Sequence, residues 1–279
     1  MFSFCISIDG NKELHDSCRK DFSGQGSYDR AIAAVRHYRK HYNQEITSKM
    51  TLSPENISYT FEAVVNLINE GYDEVFLNCV FEEGWTWYHA NILYTEMVKL
   101  ADYIIDNDLY NKIYISLFEE IFFKPMDEED NNNWCGGVDN RMFALSPDGG
   151  YYSCIRYMES SLNGKQKPLI LGNINEGYLV TEEHKTINKE LQNITRRSQS
   201  TDECYYCPVG YGCAWCSGLN YELFGTVNKR ATYICVMHKA RALANVYYWN
   251  KLYKKCNINK EFVNYLSQED INQILQGGE

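Results

Sequence analysis

The sequence lacks the features of a membrane or secreted protein. It contains no stretch of about 18 uncharged apolar residues, which is the length that a membrane-spanning helix needs. Its first residues, MFSFCISIDG, include no basic segment, and their apolar run ends at Asp9, so no signal peptide is predicted. These absences predict a cytoplasmic protein that has no membrane partner.

The sequence also lacks a basic segment of the kind that contacts phosphates. No run of lysines and arginines is longer than two residues, and the formal net charge is −10. Proteins that bind nucleic acid usually present a basic face. We therefore expect no nucleic-acid partner, and the acidic balance favours a basic or neutral one.

Cysteine, in contrast, is abundant, with eleven in 279 residues. In a reducing compartment, cysteines at this density serve more often as metal ligands than as disulfides. Single cysteines outside the cluster, such as Cys5 and Cys79, are interpreted as small buried hydrophobic residues. Seven cysteines form the cluster: Cys135, Cys154, Cys204, Cys207, Cys213, Cys216 and Cys235.

The first part of the chain alternates strand and helix patterns. Such alternation predicts an α/β fold with a parallel sheet, either open or closed into a barrel. Strands are expected at 2–8, 45–52, 73–80 and 112–118, and helices at 26–42, 53–71 and 87–106. The second of these helices is expected to begin with Ser53 as its N-cap and Pro54 in its first turn.

After Phe123 the pattern changes. The acidic, asparagine-rich segment KPMDEEDNNNW predicts a linker, and a β-hairpin is expected around the turn at 147–150. Helices are expected at 180–194 and 233–253, followed by a short C-terminal helix capped by Ser267.

Two metal centres fit the cysteine spacing taken alone. The pairs Cys204-x2-Cys207 and Cys213-x2-Cys216 could close one tetrahedral zinc site. A single zinc ion leaves Cys135, Cys154 and Cys235 without a role. Seven thiolates are nearly enough for two cubane iron–sulfur clusters with four cysteines each.

The complete spacing resembles the SPASM signature of radical S-adenosylmethionine (radical SAM) enzymes. Thirteen residues separate Cys135 from Gly149, and four separate Gly149 from Cys154. Cys204-x2-Cys207-x5-Cys213-x2-Cys216 and Cys235 follow, with two residues where the family usually has three between its fifth and sixth cysteines. The stretches ALSPDGGYYSC and LGNINEG resemble the hairpin and turn of that domain. CISIDGNKELHDSCR resembles the fourth strand and following loop of the radical SAM barrel.

The resemblance implies a fold and a domain division. Residues 1–123 would be the C-terminal portion of a partial (β/α) radical SAM barrel, starting at strand four. Residues 124–256 would be a cysteine-rich α+β SPASM domain, and residues 257–279 a helical tail. The first strand would then be an unpaired apolar edge, so we expect a fragment, an alternative start, or one half of a split enzyme.

The resemblance also implies the ligands of two [4Fe–4S] clusters. A distal cluster would be held by four cysteines, and a nearer one by three, which leaves one iron open for a substrate thiolate, water, a small thiol or Cys256. The distal set is Cys204, Cys207, Cys213 and Cys235, and the nearer set is Cys135, Cys154 and Cys216.

Three residues of the first part are candidates for binding S-adenosylmethionine. Ser7 and Asp9 lie at the C-terminal end of a parallel strand, where barrel active sites form. Arg19 is placed to pair with the carboxylate of this cofactor. The alternatives are a strand-end turn in which Gly10 supplies a positive φ, and a solvated loop charge at Arg19.

The function implied is maturation of a precursor peptide, with the group that acts on repeated Cys-x-x-x motifs as the candidate branch. A 5′-deoxyadenosyl radical would take hydrogen from a peptide carbon, and the carbon would join a cysteine sulfur as a thioether. Ile155 stands where sulfatase-maturing relatives carry an acid, which argues against that chemistry.

The initiating motif of the family, Cys-x3-Cys-x2-Cys, is absent from the sequence. The resemblance therefore implies a chain that is inactive alone and needs a separate N-terminal radical SAM half as a partner. Two other functions stay open: an electron-transfer module with two fully ligated clusters, and a zinc-stapled peptide-binding protein.

Overall fold

The computed structural model describes residues 5–42, 46–127, 129–132, 135, 137–138 and 141–277. The chain forms two compact units. The first combines Met1–Val80, Gly84–Phe122 and Cys235–Glu279, and the second combines Phe81–Glu83 with Phe123–Ile234. The chain thus passes into the second unit near the boundary placed after residue 123, and the residues from 235 onward belong to the first unit.

The strands and helices alternate through the first part of the chain, as the sequence predicted. The strands are β1 Cys5–Ser7, β2 Thr47–Leu52, β3 Glu74–Cys79, β4 Tyr114–Ile115, β5 Ala144–Leu145, β6 Gly150–Tyr152, β7 Gly172–Asn173 and β8 Gly177–Tyr178. The helices are α1 Lys12–Cys18, α2 Tyr28–Tyr42, α3 Thr60–Asn69, α4 Trp87–Asp106, α5 Glu159–Leu162, α6 Glu182–Gln192, α7 Arg196–Gln199, α8 Asp202–Tyr205, α9 Ser217–Phe224, α10 Cys235–Lys255 and α11 Gln268–Gln276.

The first unit contains a parallel sheet in the order β1-β2-β3-β4. Side chains alternate between its faces, so that Ser48, Met50 and Leu52 of β2 are all fully buried. β1 lies at one edge of this sheet. The predicted α/β fold with a parallel sheet is therefore confirmed. Residues 2–4 of the predicted first strand lie outside the described residues.

Helix α4 provides the main packing surface of the first unit. Its buried residues Leu93, Met97, Leu100 and Ile104 repeat at helical spacing along one face. Helices α3, α10 and α11 all pack against α4. The bounds predicted for α4 are confirmed at both ends, because twenty residues of sustained periodicity define a helix well.

Helix α3 begins later than the sequence predicted. Residues Ile57–Tyr59 form a 3-10 turn, and α3 starts at Thr60 rather than after Ser53. The carboxylate of Glu96 on α4 accepts a hydrogen bond of 3.0 Å from the backbone N–H of Phe61. The prediction of a Ser53 N-cap was wrong because a distant carboxylate, and not a local side chain, satisfies this helix end.

The second unit contains an antiparallel sheet of four short strands, β5 to β8. The predicted hairpin is confirmed by the pairing of β5 with β6 through a turn at Gly149, which has a φ of +89°. The core of this unit consists of Val138, Tyr152, Tyr157, Leu191, Ile194 and Val227. Cys135 and Cys154 pack against this core.

Among the helices that the structure describes, none is both long enough and apolar enough to cross a membrane.

Candidate functional site

Cys135 and Cys154 lie side by side at the edge of the core of the second unit. Gly137 separates them, and a Cβ atom at this position would lie 3.0 Å from Cβ of Cys154 and 3.6 Å from Sγ of Cys135. Any larger residue would fill the space between the two cysteines. The glycine therefore leaves a cradle at which two thiol side chains converge.

Cys216 approaches the same place from helix α9. Its Sγ accepts a hydrogen bond of 3.4 Å from the backbone N–H of Leu219, so the thiol caps the helix. The following residue, Ser217, has its Oγ 3.9 Å from Sγ of Cys135 and accepts a hydrogen bond of 2.7 Å from the hydroxyl of Tyr157. Local helix capping and one buried hydroxyl pair thus bring Cys216 toward Cys135.

Burial raises the pKa of two side chains at this place, Cys216 and Tyr157. It raises the pKa of the Cys216 thiol above its ordinary value, although the Leu219 amide and the Arg156 guanidinium oppose the rise. Burial also raises the pKa of the Tyr157 hydroxyl, and the nearby Cys135, Cys216 and Cys154 add to this increase. A metal ion or cluster would supply the positive charge that thiolates need in this apolar setting.

An ion pair lies next to Cys216. Arg156 donates a hydrogen bond of 2.7 Å to the carboxylate of Glu82. Burial, the largest single effect, would raise the pKa of Glu82, but the hydrogen bond and charge of Arg156 together with backbone hydrogen bonds outweigh it and leave the pKa below its ordinary value. Glu82 is therefore an ionised partner of Arg156.

Two other cysteines of the second unit, Cys204 and Cys213, meet at Arg230. Its guanidinium donates one hydrogen bond of 3.3 Å to Sγ of Cys204 and another of 3.4 Å to Sγ of Cys213. Between them, the backbone N–H of Gly210 bonds to the carbonyl of Cys207, and the N–H of Cys213 bonds to the carbonyl of Gly210. These consecutive turns fold the segment back so that Cys204 and Cys213 meet at one side chain.

The structure thus brings two sets of predicted ligands together. Cys135, Cys154 and Cys216 converge near Tyr157, and Cys204 and Cys213 converge on Arg230, while Cys235 is the first residue of α10 in the first unit. Within the described part of the chain, no three metal-ligating side chains are close enough to hold a single ion. The cradle at Gly137 and the all-sulfur donor set nevertheless fit the ligand chemistry of iron–sulfur clusters.

Of the candidate cofactor-binding residues of the first unit, Ser7 and Asp9 lie at the end of β1, and Arg19 lies at the end of α1. The carboxylate of Asp9, which is 3 % exposed, pairs with the Arg19 guanidinium and accepts a hydrogen bond of 3.1 Å from the Thr51 backbone N–H. Gly10 has a φ of +81°, as the strand-end turn requires. Ser7 is exposed at the last position of β1. Arg19 is therefore engaged in an ion pair and is not a solvated loop charge.

Four residues of the site were missed in the sequence. Gly137 and Ser217 lie within two residues of a predicted ligand, so proximity to the cysteines was their only signal. Arg230 carries no local signal, because it reaches its cysteine partners through the tertiary fold. Tyr157 lies three residues after Cys154 but meets Cys135 and Cys216 only through the tertiary fold.

No protein-family model matches this sequence, and no curated protein matches it. Solved structures do match. Hexahistidine-tagged anSMEcpe with bound AdoMet aligns with a TM-score of 0.59 at 17 % identity, over 98 % of this chain and 68 % of that one. Native anSMEcpe with bound AdoMet and Cp18Cys peptide aligns with a TM-score of 0.58 at 18 % identity, over 92 % of this chain and 70 % of that one.

A third structure, native anSMEcpe with bound AdoMet and Kp18Cys peptide, aligns with a TM-score of 0.56 at 17 % identity, over 91 % of this chain and 68 % of that one. anSMEcpe is a radical SAM peptide maturase with a SPASM domain. This chain has the fold of such an enzyme. The likeness extends over nearly the whole sequence and so includes both compact units. At this identity the likeness establishes a shared fold alone.

Proposed function

We propose that this protein is an iron–sulfur protein and the C-terminal part of a radical SAM peptide maturase. It would bind two [4Fe–4S] clusters through seven cysteines and act on a cysteine-containing precursor peptide. The observation that carries this proposal is the grouping of Cys135, Cys154 and Cys216 near Tyr157, with Gly137 leaving space between the first two, in a chain whose fold matches that of a radical SAM peptide maturase.

The nearer cluster would be held by Cys135, Cys154 and Cys216. Three thiolates leave one iron without a protein ligand, and a substrate cysteine is the occupant we assign to it. When bound, such a cluster coordinates a thiolate and exchanges single electrons. This arrangement suits thioether-type crosslinking, because the reacting sulfur is held in place before a peptide carbon reaches it.

The distal cluster would be held by Cys204, Cys207 and Cys213 together with Cys235. The grouping of Cys204 and Cys213 at Arg230 supports this assignment. Ser7, Asp9 and Arg19 would line the S-adenosylmethionine site of the complete enzyme. Two structural neighbours contain bound peptides and AdoMet, which supports a peptide substrate and this cofactor.

The proposal is tested by reconstituting the chain anaerobically with iron and sulfide, and then measuring both. We expect about eight irons and eight labile sulfides per chain, the content of two [4Fe–4S] clusters. Replacing a ligand of the nearer cluster, Cys154→Ser, should remove about half of the iron. Cys18→Ser is the matched control, since Cys18 is exposed and lies outside the predicted ligand sets.

Two outcomes would contradict the proposal. Purified protein with about one zinc and no labile sulfide would identify a zinc-stapled peptide-binding protein. If both clusters form but the spectrum of the reduced clusters is unchanged by a cysteine-containing peptide and by free thiol, each cluster is fully ligated. The protein would then be an electron-transfer module.

A further inference from the structure

We propose that Arg230 is a positioning residue for the distal cluster that also sets its reduction potential. The inference rests on the proposed function, because it requires Cys204 and Cys213 to be cluster ligands. Arg230 is not a ligand itself and lies outside the cysteine pattern.

The guanidinium of Arg230 contacts the two cysteines through separate nitrogens, at similar distances. Nη1 donates to Sγ of Cys204 at 3.3 Å, and Nη2 donates to Sγ of Cys213 at 3.4 Å. Nη2 also lies 3.4 Å from the carbonyl oxygen of Cys213. The two nitrogens of one planar fork are thus divided between two thiols that are nine positions apart in the sequence.

Arg230 is itself held at both ends. Its backbone N–H donates a hydrogen bond of 3.0 Å to the carbonyl oxygen of Gln199, which is a buried residue at the end of α7. Its guanidinium carbon lies 6.0 Å from the centre of the Trp215 ring, within the range of a cation–π contact. A side chain fixed in this way presents its donors to the sulfurs without a large loss of side-chain entropy on binding.

The charge of Arg230 gives these contacts a second effect. Each electron that a cluster takes up increases the negative charge on its sulfurs, so hydrogen bonds from a cation stabilise the reduced form more than the oxidised form. Arg230 should therefore make the distal cluster easier to reduce.

Three variants test this inference after anaerobic reconstitution. Arg230→Gln removes the charge and the fork, whereas Arg230→Lys keeps the charge but loses the paired donors. Arg197→Gln is the matched control. Like Arg230, Arg197 lies over an aromatic ring, that of Tyr205, at 4.8 Å, but the group with which it pairs is the carboxylate of Asp202, at 2.7 Å. This control removes one positive charge, as Arg230→Gln does, but the charge lies on α7 and belongs to an ion pair with Asp202.

The readout is a potentiometric titration with dithionite, in which the spectroscopic signals of the reduced clusters are followed. In Arg230→Gln we expect one of the two midpoint potentials to become more negative, with a roughly tenfold smaller reduction constant, or about 59 mV for one electron. Arg230→Lys should fall between this variant and the unchanged chain. Arg197→Gln should leave both potentials in place.

The outcomes separate this inference from the proposed function. An unchanged chain that takes up no iron overturns both. A chain that holds about eight irons, with both potentials unaffected in Arg230→Gln, overturns only the role of Arg230. If Arg230→Gln loses its distal cluster, Arg230→Lys decides the question. Loss of that cluster from both variants would overturn the effect on potential and leave Arg230 a residue for cluster retention alone.

Discussion

His15 is buried in the first unit as a neutral imidazole. Its Nδ1 accepts a hydrogen bond of 3.2 Å from the backbone N–H of Asp9, and its Nε2 lies 3.0 Å from Oγ of Ser27. Because Nδ1 is an acceptor, a second proton would break the bond to Asp9. Burial lowers the pKa of His15, although the nearby Asp9 carboxylate opposes this change and Arg19 reinforces it.

This lowered pKa predicts that His15 makes stability depend on pH. Since the unfolded chain binds the proton more readily, the contribution is complete above the ordinary pKa of about 6.5. It is lost as the pH falls through the lowered pKa, by no more than about 1.4 kcal/mol per pH unit. Urea unfolding at about pH 7.5 and about pH 5.5 measures the loss, which should be smaller in His15→Gln. Equal losses in both proteins would contradict the prediction.

At the scale of elements, the connection between β1 and α1 depends on close packing at Gly10. A Cβ atom there would lie 2.4 Å from Cβ of Ala63 and 2.7 Å from its Cα, so helix α3 passes directly over the turn. Gly24 has almost the same backbone conformation, with a φ of +80°, but no atom lies within 4 Å of the corresponding position. Substituting each glycine by alanine therefore distinguishes the cost of backbone strain, which both positions share, from the cost of steric overlap, which only Gly10 has.

We predict that Gly10→Ala is more destabilising than Gly24→Ala. Both substitutions place an L-residue at positive φ, which costs about 1 to 2 kcal/mol. Gly10→Ala adds overlap with the backbone of α3, which typically costs a further 1 to 3 kcal/mol or so. The measurement is the unfolding free energy of each variant in urea. Similar losses in the two variants would show that α3 can move away from the turn.

Elements differ in how well the sequence predicts them. The long helices α2, α4 and α10 were predicted within about two residues, since their periodicity extends over several turns. The four-residue helices α5, α7 and α8 were missed, because one turn contains no periodic pattern. Helix α1 lies where the resemblance implies a loop, and the side chain of Asn11 caps it by accepting a hydrogen bond of 2.9 Å from the Leu14 backbone N–H.

In the candidate site, too, residues with a pattern in the sequence were predicted and residues without one were not. The cysteine spacing predicted seven metal ligands, and three of them, Cys135, Cys154 and Cys216, lie near Tyr157. That they hold a cluster stays a prediction. The spacing could not identify Arg230, whose cysteine partners lie 26 and 17 positions away, or Tyr157, which meets Cys135 and Cys216 only through the tertiary fold. Spacing within one segment is a property of the sequence, whereas the pairing of a guanidinium with two sulfurs depends on how several turns fold together.

For the whole molecule, the absence of Cys-x3-Cys-x2-Cys from the 279 residues leads to a prediction about catalysis. In enzymes that this chain resembles, the thiolates of that motif hold the cluster that cleaves S-adenosylmethionine. We expect the reconstituted polypeptide alone, with dithionite and S-adenosylmethionine, to form no 5′-deoxyadenosine above a protein-free control. Chromatography of the quenched reaction measures this product. Product that increases in proportion to protein concentration would contradict the prediction.

The first unit is discontinuous in the chain, and this has a consequence during synthesis on the ribosome. Helix α4 emerges early, but α10, which packs against it, follows only after residues 123–234 have been translated. At about 5 to 20 residues per second, that interval lasts roughly 5 to 20 seconds. During this time α4 lacks the cover that α10 and α11 later provide, so a chaperone that binds nascent chains would have its target in the α4 segment.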